Sequence, residues 1–125
     1  MDPYADKTPE KKASRPAGLK IGKFLEPDEE VTYSTRGTLY VDGDDGLRGY
    51  VTDRRVIFYA GKGFLSRPSR LYEISLKRIY SYNIIEVGLL IKKMHLQLND
   101  LKISGDVADI SGLFEAIQTA KQSSE

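Results

Sequence analysis

From Glu30 onward the apolar positions fall in short runs rich in Val, Ile, Tyr and Thr, separated by Gly, Asp, Asn and Pro. That rhythm predicts strands and turns. The runs place strands over residues 31–41 (one long strand, or one bent at Gly37), 47–52, 55–60, 71–74, 80–87, 90–98 and 101–104. Seven strands joined by short loops predict antiparallel neighbours in a meander. Over 90–98, Leu90, Met94, Leu96 and Leu98 alternate with Lys93, His95 and Gln97, with Ile91 the exception. One face is core and the other wet. In Arg55-Val-Ile-Phe-Tyr-Ala60 both faces are apolar, which predicts a central or doubly covered strand. Asn99-Asp100 suits a two-residue hairpin loop, although it lacks the glycine that favours such turns.

The period changes near the end of the chain. Val107, Ile110, Leu113, Phe114 and Ile117 recur at three- and four-residue spacing after Asp106, a good N-cap, with Asp109 in the first turn. This predicts one amphipathic helix over about 107–121, whose apolar stripe must be buried against the sheet. The start of the chain has neither period. Pro3, Pro9 and Pro16 interleave with Lys7, Lys11, Lys12 and Arg15, which predicts disorder over 1–18. Residues 18–25 carry Leu19, Ile21, Phe24 and Leu25. Their two glycines make a poor membrane-surface helix, so packing against the folded domain is the favoured expectation. The expected organisation is a disordered or loosely packed tail over 1–23 and one domain over 24–122.

Composition narrows the chemistry. The chain has 125 residues, 40% of them hydrophobic, and a formal charge of +1. It has room for one domain and no general affinity for nucleic acid. No signal-peptide run or apolar stretch long enough to span a bilayer occurs, which leads to the expectation of a cytoplasmic protein, at most peripheral at the inner membrane face. With no cysteine and one histidine, His95, there is no disulfide framework, no thiolate and no two-His metal motif. His95 sits on a strand with Lys93 and Gln97, where an exposed polar-face role is favoured over a catalytic one. The run Asp42-Gly-Asp-Asp-Gly46 fails the calcium-loop spacing: counted from Asp42, a glycine falls at position five, and no Glu stands at position twelve. A solvated hairpin turn is the better reading. No phosphate loop or nucleophile elbow occurs, so the expected protein is not an enzyme and carries no cofactor.

Strands followed by a single helix resemble the pleckstrin-homology (PH) fold. Gly49-Tyr-Val-Thr-Asp-Arg-Arg-Val-Ile-Phe-Tyr59 is similar to the signature of prokaryotic PH-like domains and their GRAM and GLUE relatives: a strand, a tight Thr-Asp-Arg turn and an apolar strand. Tyr72-Glu-Ile-Ser-Leu-Lys-Arg-Ile79 and Gly88-Leu-Leu-Ile-Lys resemble later pieces of the same pattern. The resemblance covers about residues 24–121. It implies a mainly β protein: a seven-stranded, partly open antiparallel barrel of two orthogonal sheets, capped by the C-terminal helix. Asp53 suits the turn, because its carboxylate can accept from nearby backbone N–H groups. A structural role for Thr52-Asp53-Arg54 is therefore expected.

The net charge conceals an uneven distribution. Residues 1–25 carry +3, 26–53 carry −6, 54–93 carry +7 and 94–125 carry −3. Within the basic stretch, Lys62, Arg67 and Arg70 surround the apolar pair Phe64 and Leu65, a combination able to hold an anionic phospholipid surface while the apolar pair enters it. At about 1 kcal/mol per basic residue such attachment is weak and salt-sensitive. The opposing reading folds Phe64 and Leu65 onto the core. In eukaryotic PH domains the phosphoinositide pocket uses Lys and Arg at the first hairpin, whereas this chain has Asp42, Asp44 and Asp45 there, which repel a polyphosphate. The scaffold transfers and that pocket does not. The expected function is a non-catalytic adaptor recruiting a protein partner, an anionic membrane, or both. The alternatives are a GLUE-like ubiquitin-binding domain of the endosomal-sorting type and a module that self-assembles through strand edges.

Overall fold

A computed structural model describes residues 24–61, 69–87 and 93–124 of the chain. The chain divides into two units, Met1–Glu30 and Val31–Glu125. In the first, the described residues hold a turn in which the Glu29 N–H donates to the Glu26 carbonyl (3.0 Å) and the Glu26 N–H to Glu29 Oε1 (3.0 Å). The tail read over 1–23 lies outside the described residues.

The second unit has eight described strands: β1 (Val31–Ser34), β2 (Leu39–Val41), β3 (Asp44–Thr52), β4 (Arg55–Ala60), β5 (Arg70–Ser75), β6 (Tyr82–Val87), β7 (Lys93–Leu98) and β8 (Leu101–Ser104). A short 3-10 helix, Leu76–Arg78, follows β5, and α1 spans Val107–Ser124. The order across the sheet is β5-β4-β3-β2-β8-β7-β6, all antiparallel, with β1 pairing β3 off this path. The sheet is open, since β5 and β6 form its two ends. This is the strand-then-helix architecture of the PH-like fold.

The bend at Gly37 separates the first expected strand into β1 and β2. Thr35 fixes one side of it: its N–H donates to the Gly49 carbonyl (2.9 Å), and its hydroxyl donates to the Gly37 carbonyl (3.0 Å) and accepts from the Gly49 N–H (3.1 Å). The other side is held from the helix. The carboxylate of buried Asp109 accepts from the N–H of Arg36 (2.9 Å) and of Gly37 (3.0 Å). Two backbone donors that leave the ladder at the bend are thus satisfied by a charged acceptor. Asp109 is consequently more than a first-turn acid: it ties α1 to the sheet.

The core follows the predicted periodicities. Ile110, Leu113 and Ile117 of α1 are fully buried against Leu39, Leu47, Val51, Phe58, Leu96, Leu98 and Ile103. Phe114 adds a tilted ring contact with Tyr82, centroids 5.6 Å apart. Val107, placed in the stripe by spacing, is half-exposed instead, because at the first position of α1 it lies at the edge of the covered area. The helix runs past the expected end at 121, since Gln122 and Ser123 contain no helix breaker. Every residue from Val56 to Ala60 is buried, as two-sided apolarity predicted for β4. In β7, Leu96 and Leu98 are buried and Gln97 half-buried. His95 is half-buried and not exposed as expected; its Nδ1 is enclosed.

The turns also separate expectation from outcome. Asn99-Asp100 does form the β7–β8 hairpin, with Asn99 at φ 53°. Its side chain accepts from the Tyr80 N–H (2.9 Å) and donates to the Arg78 carbonyl (3.0 Å), compensating for the missing glycine. In the Thr52-Asp53-Arg54 turn, the Thr52 hydroxyl accepts from the N–H groups of Arg54 and Arg55, both at 3.0 Å. Threonine supplies the turn acceptor that the sequence assigned to Asp53.

Candidate functional site

Of the candidate lipid-contact residues, Lys62, Phe64, Leu65 and Arg67 lie outside the described residues. Arg70 is described, as the first residue of β5. Pairing of β3, β4 and β5 brings it beside the start of β3. There its Nη1 forms an ion pair with Asp44 and donates to the Asp45 carbonyl (2.9 Å). The Tyr72 hydroxyl donates to the other Asp44 oxygen (3.1 Å), and burial together with that bond pushes the Tyr72 phenol up from 10.0. The acidic hairpin is a turn with Asp42, Gly43, Asp45 and Gly46 exposed, as expected, while Asp44 is drawn into the strand and partly buried by these partners. Only Asp42 and Gly43 form the turn, with φ 51° and 85°, as a two-residue hairpin with positive φ at both positions requires. Asp42 also exchanges hydrogen bonds with Lys102: its N–H donates to the Lys102 carbonyl, and its carboxylate accepts the Lys102 N–H, each at 2.8 Å.

A concave feature lies elsewhere. Between β1 and α1 runs a groove of about 560 Å³, within the range of small-ligand and peptide sites. Thr32 and Tyr33 form its strand wall, and Thr52 and Asp53 close it where β3 turns. The helix wall is Gly112, Glu115, Ala116, Thr119, Ala120 and Ser123. These six recur at three- and four-residue steps, so they form one face of α1 beside its core stripe. Ala116, Thr119 and Ala120 keep the helix surface low along the groove, while the space above Gly112 is taken by the Tyr33 ring.

Tyr33 sets the groove's shape. Its ring lies across α1 at Gly112, where any Cβ would collide with it, and its hydroxyl donates to the Asp109 carbonyl at 3.5 Å. Burial, with the Asp109 charge second, raises the Tyr33 phenol above 10.0 and keeps it neutral. Near the end of α1, Lys121 donates from Nζ to the carbonyls of Leu76 (3.2 Å) and Ile79 (2.9 Å), fixing the C-terminal half of the helix against the 3-10 turn. The helix wall is therefore anchored at both ends. Among the described residues, no group of three His, Cys, Asp or Glu side chains is placed to hold a metal ion. What the groove offers is shape, hydroxyls and two carboxylates, Asp53 and Glu115. Sequence reading missed it entirely, although Gly112, Ala116 and Ala120 at four-residue steps were the visible trace of a low helix face.

No family model matches the chain, and no curated protein matches it. Solved structures do. A pleckstrin-homology domain from Shewanella amazonensis SB2B superimposes with a TM-score of 0.60 at 16% identity, covering 82% of this chain and 92% of that one. The Vps36 N-terminal PH domain gives 0.53 at 16% identity, covering 79% and 83%. A DUF1696 family protein with a pleckstrin-homology domain, from Shewanella loihica PV-4, gives 0.55 at 13% identity, covering 81% and 86%. The chain has a PH-like fold.

Proposed function

We propose that this protein is a non-catalytic interaction module of the cytoplasm that recruits a protein partner through the groove between β1 and α1. The observation that carries the reading is the groove itself: a slot of about 560 Å³ between β1 and a helix face of mostly small residues. The PH-like fold supports a binding role without specifying a ligand. The membrane reading through Lys62, Phe64, Leu65, Arg67 and Arg70 has less support, because Arg70 is engaged by Asp44. Recruitment of ubiquitin, which the resemblance implies, needs a folded surface and does not call for a slot.

A displayed random dodecapeptide library panned against the protein tests the proposal, with Thr119→Trp as the counter-target. Thr119 is exposed on the groove wall, so the substitution fills the slot without disturbing the core. Selected peptides should bind the parent protein and lose about tenfold or more against Thr119→Trp, with thermal unfolding unchanged. Peptides that bind both proteins equally would overturn the reading. So would failure to select any peptide while vesicles containing phosphatidylserine bind, or ubiquitin perturbs surfaces away from the groove.

A further inference from the structure

We infer that the sheet face turned away from the core, where β2, β8, β7 and β6 lie side by side, is a second docking surface that takes an acidic protein segment: apolar side chains of the segment cover Tyr40 and Ile85, and a carboxylate meets His95 and Lys102. This surface shares no residue with the groove lining.

Register assembles it. Tyr40 of β2 stands opposite Ser104 of β8, Ser104 opposite His95 of β7, and His95 opposite Ile85 of β6. At about 4.8 Å per strand this row runs about 14 Å across the sheet. Alternation fixes its face. The flanking Leu39, Val41, Leu96 and Ile103 are fully buried in the core with the apolar stripe of α1, so the row belongs to the opposite side. Tyr40 is 53% exposed and Ile85 44%. An aromatic and a branched aliphatic residue at the two ends of one solvent-facing row add little to the core, and a partner that covers them gains their burial.

The polar centre of the surface selects the partner. His95 is half-buried, and its Nδ1 is enclosed without a hydrogen-bond partner, which leaves Nε2 as the atom that a ligand meets. A carboxylate accepting from Nε2–H holds the proton there, so the enclosed Nδ1 carries a lone pair and not an unsatisfied N–H. One row along, Lys102 opposite Gln97 is exposed, and no ion pair among the described residues holds its ammonium. The carboxylates at the margin are engaged: Asp42 accepts the Lys102 N–H (2.8 Å), and the Tyr80 hydroxyl bonds to Asp100. A basic segment would therefore meet like charge at Lys102, and an acidic one meets its complement. A second copy of the chain, docked by the same face, brings no carboxylate in the row to its partner's lysine.

The test titrates the full chain, labelled with nitrogen-15, with two capped pentapeptides, Leu-Glu-Leu-Glu-Leu and Leu-Lys-Leu-Lys-Leu. The glutamate peptide should shift the amides of residues 40, 85, 95 and 104 and leave 112–123 unmoved. The lysine peptide should leave both sets unmoved. Lys102→Glu should weaken the glutamate peptide about three- to fivefold, with the effect shrinking as salt is added. Tyr40→Thr and Ile85→Thr together, which keep strand propensity, should weaken it about tenfold with thermal unfolding close to the parent's. Thr119→Trp, which fills the groove, should leave this binding unchanged. Equal binding of the two peptides, dependence on Thr119, or no shift from either peptide at about 2 mM overturns the inference. Self-association of the protein alone that the double threonine variant abolishes also overturns it, because the face then belongs to a second copy.

Discussion

The hairpin corner and the helix-side groove both display carboxylates, yet they differ in what those carboxylates have left to give. At the corner, Asp44 is held by Arg70 and Tyr72, and Asp42 by the Lys102 amide. At the groove, Asp53 lies 4.0 Å from the Arg54 Nε with both side chains nearly half-exposed, and Glu115 is exposed on the helix wall. The most acidic stretch of the chain is engaged within its own architecture, while Glu115, far away in sequence, is exposed on the groove wall. Charge density along a sequence therefore marks where ion pairs can form, and topology decides which charges remain for a partner.

Substitutions and a pH series can break or sharpen this contrast. The largest effect is expected at Asp109, whose carboxylate holds the β1–β2 bend and with it the strand wall of the groove. Asp109→Ala leaves the Arg36 and Gly37 donors without their acceptor and should cost about 3 kcal/mol in urea unfolding. Next is Gly112→Ala, which forces Tyr33 off the helix. A loss of about 2 kcal/mol is expected, with part of it recovered in a Tyr33→Leu background because the two sites are in contact. Third, the two acidic regions should differ in how much stability rests on their charges. Arg70→Ala should destabilise by about 1 kcal/mol, whereas Glu115→Lys should stay within about 0.5 kcal/mol. Equal costs would erase the distinction between spent and available charge.

The smallest effect is on alkaline stability. Burial raises the phenols of Tyr33 and Tyr50 above the ordinary 10.0. The folded state holds these protons more tightly than the unfolded chain does, so their contribution is complete below 10.0 and is lost as pH rises through the higher folded values. Tyr50→Phe should flatten that alkaline decline. A Tyr50→Phe curve that parallels the parent across the alkaline range would show that burial of this phenol has no such effect.

Much of the fold was legible because its signals are local. The two-sided apolarity of residues 55–60 and the spacing of Ile110, Leu113 and Ile117 report burial directly. The misreadings arise where a distant residue decides the outcome. Asp44, Asp45 and Gly46 look like loop residues, but Arg70, two strands away, draws Asp44 into β3. Gly37 suggested a bend, yet the groups that hold it come from Asp109, 72 residues later. The groove was illegible for the same reason. Its walls are β1 and α1, and neither Tyr33 nor Gly112 announces the other in sequence. The loop carrying Lys62, Phe64, Leu65 and Arg67 remains a sequence expectation that the described residues leave as it stood.

The central claim is that the slot between β1 and α1 is where a partner docks. It is tested most directly by isotope-filtered nuclear Overhauser contacts between a bound library-selected peptide and the labelled protein. Contacts from the peptide to the Ala116 and Ala120 methyls and to the Tyr33 ring are predicted. Contacts confined to any other surface would contradict the account.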